Sequence, residues 1–152
     1  MSQPTNGRRV LFLCTGNYYR SRFAEILFNR RAAELKLGWS AFSRALAIEL
    51  GSCNVGPISQ HTRDACRARG INVPEPIAFP CGASDADFRS ADHVVALKEA
   101  EHRAYLRQKF PQWIDRVEFW HVHDLDQALP EDACAQIETH VEQLITRLAD
   151  RP

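Results

Sequence analysis

Apolar residues along the chain form short continuous runs that alternate with stretches of helical spacing. The run Val10–Leu13 is typical of a strand buried on both faces, and apolar residues at every third or fourth position from Ser21 onward indicate a helix that stops at Gly38. The remaining predicted elements are a strand within 39–48, a helix from a Ser59 cap to Arg69, a strand over 91–97, a helix over 99–110, a strand over 117–122 and a helix from Pro130 to about Ala149.

The alternation of strands and helices predicts the fold class. It favours right-handed crossovers, and therefore an α/β protein with a doubly wound four-stranded parallel sheet and helices on both faces. In such sheets ligands bind at the carboxyl ends of the strands. The chain of 152 residues shows no repeat or linker, so we expect a single domain over 1–152, with 1–7 as a disordered lead-in.

Composition and charge exclude several classes of protein. Hydrophobic residues make up 45% and charged residues 25%, as in soluble globular domains. Nineteen Lys and Arg balance nineteen Asp and Glu, which argues against nucleic acid or an anionic membrane as a partner. No apolar run is long enough to span a bilayer, and Met1–Arg9 lacks the apolar core of a signal peptide, so we expect a cytoplasmic protein.

The cysteines do not form a recognisable metal or disulfide pattern. Their number is five, and no two are spaced as Cys-x-x-Cys, so neither a zinc ribbon nor a closed disulfide framework is indicated. We expect four of them to be small buried hydrophobic residues, namely Cys53, Cys66, Cys81 and Cys134. Cys14 differs because it ends the first strand.

The segment that joins the first strand to the first helix has the composition of a phosphate site. It reads Cys14-Thr15-Gly16-Asn17-Tyr18-Tyr19-Arg20-Ser21. A loop entering a helix points unpaired N–H groups at one spot, and the helix dipole adds positive charge there. Gly16 permits a tight curl, and Asn17 tolerates a left-handed backbone. Arg20 supplies a planar fork for two phosphate oxygens, so residues 15–21 are predicted to bind phosphate.

The same loop offers a nucleophile. Helix N-termini and nearby guanidinium groups favour the thiolate form of cysteine, which predicts a reactive Cys14. Ser21 can donate its hydroxyl to that thiolate and stabilise it again as a leaving group. The alternative is a buried cysteine at a strand end beside an ordinary surface arginine.

Residues 10–25, VLFLCTGNYYRSRFAE, resemble the N-terminal signature of the low-molecular-weight protein tyrosine phosphatases. The resemblance implies hydrolysis of phosphotyrosine through a phosphocysteine intermediate, without a metal or other cofactor. The expected partners are then a tyrosine-phosphorylated protein or a small aryl phosphate. We expect the protein to be a monomer or a weak dimer.

This chemistry needs a general acid, because a phenolate with an ordinary pKa near 10 leaves poorly without a proton. The resemblance implies an aspartate in a loop late in the chain. Asp124 occupies the matching position and is the predicted acid, with Asp126 in reserve. The alternative is that both are solvated loop carboxylates, one of them capping a turn.

Two further assignments follow from the resemblance. Ser43 resembles the serine that holds the loop asparagine, although an ordinary strand-end hydroxyl explains it as well. Tyr18, Tyr19 and Trp39 are candidates to wall a slot for a flat aromatic ring. Of these, Tyr18 is the best candidate, and Trp39 is better explained as core.

The sequence also departs from the family pattern. Tyr19 stands where many members carry a second cysteine, and Arg22 where proline is usual. Leu125-Asp126 replaces proline plus an aromatic residue, and Lys98 replaces a more usual acidic residue after the third strand. The change at Leu125-Asp126 removes the usual ring from the rim of the pocket, which leaves the phosphatase chemistry better supported than a preference for phosphotyrosine.

Three alternatives remain open. A thioredoxin-coupled arsenate reductase of the same fold needs two more cysteines, the first directly after the strand 94–97, where 98–100 contain none. A non-catalytic phosphotyrosine-binding module is suggested by the altered acid loop. His121, His123 and Asp124 suggest a metal site, but catalytic zinc takes three protein ligands and none is clearly supplied elsewhere, so no metal is expected.

Overall fold

A computed structural model of the chain describes residues 7–124 and 128–150. Its strands are β1 (Arg8–Cys14), β2 (Trp39–Ala45), β3 (His93–Ala96) and β4 (Val117–Phe119). Its α-helices are α1 (Arg20–Glu34), α2 (Gln60–Ala68), α3 (Asp85–Ser90), α4 (Glu99–Lys109) and α5 (Pro130–Ala149). Short 3-10 helices span Ile48–Gly51 and Pro111–Arg116.

The strands form one parallel sheet in the order β2-β1-β3-β4, which confirms the predicted fold class. Cys14, the last residue of β1, lies beside Ala45, the last residue of β2. The chain moves outward from β1 to β2 and then returns across β1 to β3. The strand order therefore reverses between β1 and β3, where sheets of this kind bind ligands at their carboxyl ends.

Both faces of the sheet are buried, as the continuous apolar run predicts. Val10 and Phe12 of β1 belong to a core shared with α1, α2 and α5. Leu11 and Leu13 face the opposite way, into a core shared with α3 and α4. The two cores fix β1 from both sides and hold its carboxyl end in place.

Several boundaries differ from the predictions. The fourth strand ends at Phe119 and not at Val122, although the N–H groups of Trp120 and Val122 still donate to the carbonyls of Ala96 and Leu97. Helix α1 ends at Glu34 because Lys36 takes a left-handed φ of 52° two residues before Gly38. Helix α3 was not predicted. The sequence signal for this helix is a capping box, in which the side chains of Ser84 and Asp87 each accept a hydrogen bond from the backbone N–H of the other.

The expectation for the four remaining cysteines is half right. Cys66 and Cys134 are buried in the core between α1, α2 and α5. Cys53 and Cys81 are exposed, and both lie in irregular segments outside the helices and strands. No helix in the described residues is both long and apolar enough to cross a membrane.

Candidate active site

The loop between β1 and α1 turns its carbonyl groups outward. The carbonyls of Cys14 and Thr15 each accept an N–H bond of 2.9 Å from the residues that follow β2, and the carbonyl of Tyr18 accepts one of 2.9 Å from Ser59. The backbone N–H groups of residues 16–19 donate to no acceptor in the part of the chain that the structure describes. They are therefore available to an anion at the N-terminus of α1.

Asn17 fixes the shape of this loop from inside. Its backbone adopts φ 54°, so the left-handed residue of the loop is Asn17 and not Gly16. Its side chain is buried and donates to Ser21 Oγ and Ser43 Oγ, both at 2.9 Å, while its Oδ1 accepts the Cys81 N–H at 3.0 Å. All the hydrogen-bonding groups of this amide are used to hold the loop.

These contacts orient the hydroxyls of Ser21 and Ser43. Ser21 Oγ lies 3.0 Å from Cys14 Sγ, and because it accepts a hydrogen bond from Asn17, its own proton can point to a thiolate. Ser43 accepts from Asn17 in the same way and donates to Glu25, the pKa of which is raised by burial.

Arg20, the first residue of α1, is only 1% exposed. Its Nη1 donates to Glu101 Oε1 and to the carbonyl of Val122, both at 3.2 Å. Its Nη2 donates to Glu101 Oε2 at 3.0 Å and to Asp124 Oδ2 at 3.3 Å. Burial opposes the charge, but Cys14, Glu101 and Asp124 together raise the pKa of Arg20, so the guanidinium stays charged.

Glu101 and its neighbour His102 also belong to the site, and neither is predicted from the sequence. Thr15 Oγ1 contacts Glu101 Oε2 and lies 3.1 Å from His102 Nε2. His102 Nδ1 accepts the Lys98 N–H at 3.0 Å, so the hydrogen of a neutral ring is on Nε2. Burial lowers the pKa of His102, which favours that neutral form. The sequence signal was weak, because Glu101 is one of two glutamates in the first turn of α4.

The pKa of Glu101 shows how firmly its charge is held. Burial would raise this pKa, but hydrogen bonds with His102, Arg20 and Thr15 hold it well below its usual range. Glu101 is therefore a carboxylate at every pH at which the protein is expected to work.

A cavity of about 260 Å³ opens above the loop. Besides the loop residues, its walls include Leu50, Gly51, Asn54, Ser59 and Asp124. Leu50 is 62% exposed and lies at the mouth, and Tyr18 is half-buried, with its hydroxyl donating to the Val55 carbonyl. Asp124 thus shares the cavity with Cys14 and Arg20, while the reserve acid Asp126 lies outside the described residues.

Two of the three aromatic candidates, Tyr19 and Trp39, pack in or against the core. The ring of Tyr19 packs in the core, and its hydroxyl donates to the carbonyl of Pro130 at 3.2 Å. Trp39 lies at the amino end of β2, at the opposite edge of the sheet from Cys14. Tyr19 therefore does not wall a slot with its ring, because the ring packs in the core, whereas the preferred core placement of Trp39 is confirmed by its packing against the same core.

His121 and His123 lie close together, with ring centroids 4.8 Å apart. Within residues 7–124 and 128–150, no group of three His, Cys, Asp or Glu side chains is arranged to hold a metal ion.

The family model of the low molecular weight phosphotyrosine protein phosphatases matches residues 9–151, nearly the whole chain. The chain belongs to this family. Its members are cysteine-dependent hydrolases, and the match confirms the resemblance seen in residues 10–25.

Known relatives agree with this assignment. The low molecular weight protein-tyrosine-phosphatase YfkJ of Bacillus subtilis is 31% identical over 153 residues, which cover 91% of this chain and 94% of YfkJ. The crystal structure of YfkJ superimposes with a TM-score of 0.80 at 25% identity, covering 96% of this chain and 97% of that one. The YwlE arginine phosphatase from Geobacillus stearothermophilus shares the fold, with a TM-score of 0.73, 21% identity and coverage of 93% and 92%.

Proposed function

We propose that this phosphatase hydrolyses aryl phosphate monoesters, with phosphotyrosine on a protein as the natural form, through a phosphocysteine at Cys14. The observation that carries the proposal is the shared cavity. Cys14 Sγ lies 3.0 Å from an oriented serine hydroxyl at its base, Arg20 and the free loop amides surround it, and Asp124 faces it.

In the first step the Cys14 thiolate attacks phosphorus, forming a P–S bond as the bond to the aryl oxygen breaks. The loop amides and Arg20 bind the three equatorial oxygens, where most of the charge develops. Asp124 gives its proton to the leaving oxygen, so that a neutral phenol departs.

In the second step water attacks the phosphocysteine. Asp124, now a carboxylate, takes a proton from the water as the new P–O bond forms and the P–S bond breaks. Cys14 leaves as a thiolate and receives the hydrogen bond of Ser21, and inorganic phosphate dissociates. The role of Ser43 is to hold Asn17 and, through it, the loop.

The mouth of the cavity supports an aryl substrate. Leu50 and Tyr18 offer apolar surface there against which a phenyl ring can pack. The family model spans nearly all of the chain, which supports a single phosphatase domain over 1–152. We extend the proposal to a cytoplasmic enzyme that acts as a monomer or a weak dimer.

The test is hydrolysis of p-nitrophenyl phosphate in the presence of EDTA. We expect turnover by the wild type, none by Cys14→Ser, and wild-type activity for the control Cys53→Ser, which changes an exposed cysteine. Asp124→Asn should lower kcat by about 10²-fold or more. The control Asp132→Asn makes the same charge change in the first turn of α5 and should leave kcat unchanged.

Failure of the folded wild type to turn over would refute the proposal, and two further assays would then identify the alternative. Arsenate-dependent oxidation of thioredoxin would indicate a reductase. Tight binding of a phosphotyrosine peptide without hydrolysis would indicate a binding module. For an active enzyme, comparison of phosphotyrosine with phosphoarginine peptides tests the substrate class, and faster release from phosphoarginine would overturn the aryl assignment.

A further inference from the structure

The guanidinium of Arg20 offers five N–H groups, two on each terminal nitrogen and one on Nε. Glu101 takes one hydrogen from each terminal nitrogen, at 3.2 and 3.0 Å, and so occupies the end of the group as a two-point fork. The Val122 carbonyl takes the second hydrogen of Nη1, and Asp124 takes the second hydrogen of Nη2.

This arrangement leaves one edge for a ligand. The side edge of a guanidinium, formed by Nε–H and the outer hydrogen of Nη2, is a second fork that matches two oxygens of a phosphate. Glu101 and Val122 already hold the other hydrogens, so the plane of the group cannot turn without breaking their bonds. Only the Asp124 contact has to give way when phosphate binds to the side edge.

Glu101 is itself held in place, as a positioning group must be. Thr15 donates to the same Oε2 that accepts from Arg20, and His102 Nε2 lies 3.3 Å from that oxygen. His102 is fully buried and anchored through Nδ1 to the backbone of Lys98. The contacts connect the first residue of the phosphate loop, the start of α4 and the end of the guanidinium in one network.

We propose that Glu101 is the positioning residue for Arg20 and, through it, for the phosphoryl group. The proposal rests on the function proposed above. An orienting role and simple electrostatics predict opposite changes in phosphate affinity when Glu101 is neutralised. Removing a negative charge beside an anion site should strengthen phosphate binding by electrostatics alone. If Glu101 orients Arg20, its neutralisation weakens phosphate binding instead.

The experiment is calorimetric titration of inorganic phosphate into the wild type and three variants. Glu101→Gln keeps the length and removes the charge, whereas Glu101→Asp keeps the charge but is too short to reach both terminal nitrogens. We expect both to weaken binding by about tenfold or more, the range expected for hydrogen bonds to a charged group. Glu99→Gln removes the exposed partner of Arg103 in the same helical turn and should bind as the wild type does.

Folding is checked by thermal unfolding, and titrations are made well below each midpoint, so that a loss of stability alone does not change the measured affinity. Binding by folded Glu101→Gln or Glu101→Asp that equals or exceeds that of the wild type overturns the proposal. A wild type that fails to bind phosphate refutes the proposed function itself, which is a different result. For p-nitrophenyl phosphate, the positioning role predicts that KM rises in both variants.

Discussion

At the scale of single residues, two carboxylates contact the same guanidinium with different consequences. Glu101 is bound at both oxygens and also contacts Thr15 and His102, whereas Asp124 lies 3.3 Å from Arg20 Nη2 and its side chain is 43% exposed. Asp124 accepts a hydrogen bond from the outer hydrogen of Nη2, which a phosphate oxygen bound at the side edge of the guanidinium would also accept. We therefore expect substrate phosphate to displace Asp124 from Arg20 before Asp124 serves as the proposed acid.

Asp124→Asn should accordingly separate binding from catalysis. We expect inorganic phosphate to bind about two- to fivefold more tightly, because an exposed carboxylate no longer competes for Arg20 or repels the anion. The same substitution lowers kcat. Calorimetric titration measures the affinity, and Asp132→Asn controls for the change in net charge. Unchanged or weaker phosphate binding in Asp124→Asn would contradict competition between Asp124 and phosphate for Arg20.

The residues of the phosphate loop could be predicted because their chemistry is local. Cys14, Arg20 and Ser21 lie within eight positions of one another and at the start of a helix. Glu101 and His102 could not, since they are more than 80 positions away and reach the loop only through the reversal of strand order between β1 and β3. No periodicity in α4 distinguishes its two first-turn glutamates.

At the scale of elements, Tyr19 links the start of α1 to the start of α5. Its buried hydroxyl donates to the carbonyl of Pro130 and lies 3.8 Å from Cys134 Sγ. Burial and the neighbouring Cys134 raise the pKa of Tyr19 well above its usual range, so the hydroxyl remains a donor. Pro130 follows the segment that begins at Asp124, and Tyr19 thus ties the far end of that segment to the phosphate loop.

Tyr19→Phe removes only the oxygen of this link. We expect it to lower the free energy of unfolding by about 0.5–1.5 kcal/mol, the usual value of one buried hydrogen bond. It should also lower kcat more than it changes KM, because the phosphate loop stays intact while Asp124 is less well placed. Urea unfolding and p-nitrophenyl phosphate kinetics measure the two effects.

Tyr105→Phe is the matched control for this prediction. The Tyr105 ring is partly buried in the other core, and its hydroxyl bonds to none of the described residues. An equal loss of stability in the two variants would show that the Pro130 contact contributes nothing specific.

The predictability of the elements follows the strength of their local signals. The long helices carry apolar residues at helical spacing and the strands β1 and β3 are continuous apolar runs, and these elements lie close to where the pattern predicts them. Helix α3 has six residues and is too short for periodicity, so only its capping box marked it. The predicted fourth strand runs past Phe119 because Trp120 and Val122 are apolar and buried and their N–H groups still bond to Ala96 and Leu97, although the regular strand ends at Phe119.

At the scale of the whole molecule, Glu118 joins the sheet to the C-terminal helix. Its Oε1 lies 2.8 Å from His93 Nε2, and its Oε2 accepts 2.7 Å bonds from Trp120 Nε1 and Arg147 Nη2. Three elements, β3, β4 and α5, therefore meet at one carboxylate. Burial would raise the pKa of Glu118, but these partners lower it from 4.5 to about 2.

This pKa predicts how the stability of the fold depends on pH. Because the folded-state pKa is lowered, the contribution of Glu118 is fully present above pH 4.5 and is lost as pH falls toward 2. We expect the unfolding temperature of the wild type to fall across this window. Glu118→Gln should unfold at a lower temperature at neutral pH, lose less on acidification, and converge with the wild type near pH 2.

The difference between the two curves isolates Glu118, because Glu101 and other carboxylates titrate in both proteins. Glu142→Gln removes an exposed ion pair between α5 and Arg31, and it should shift the unfolding temperature little at any pH. Curves for the wild type and Glu118→Gln that stay parallel from pH 7 to pH 2 would mean that the three-element contact stabilises through packing and not through charge.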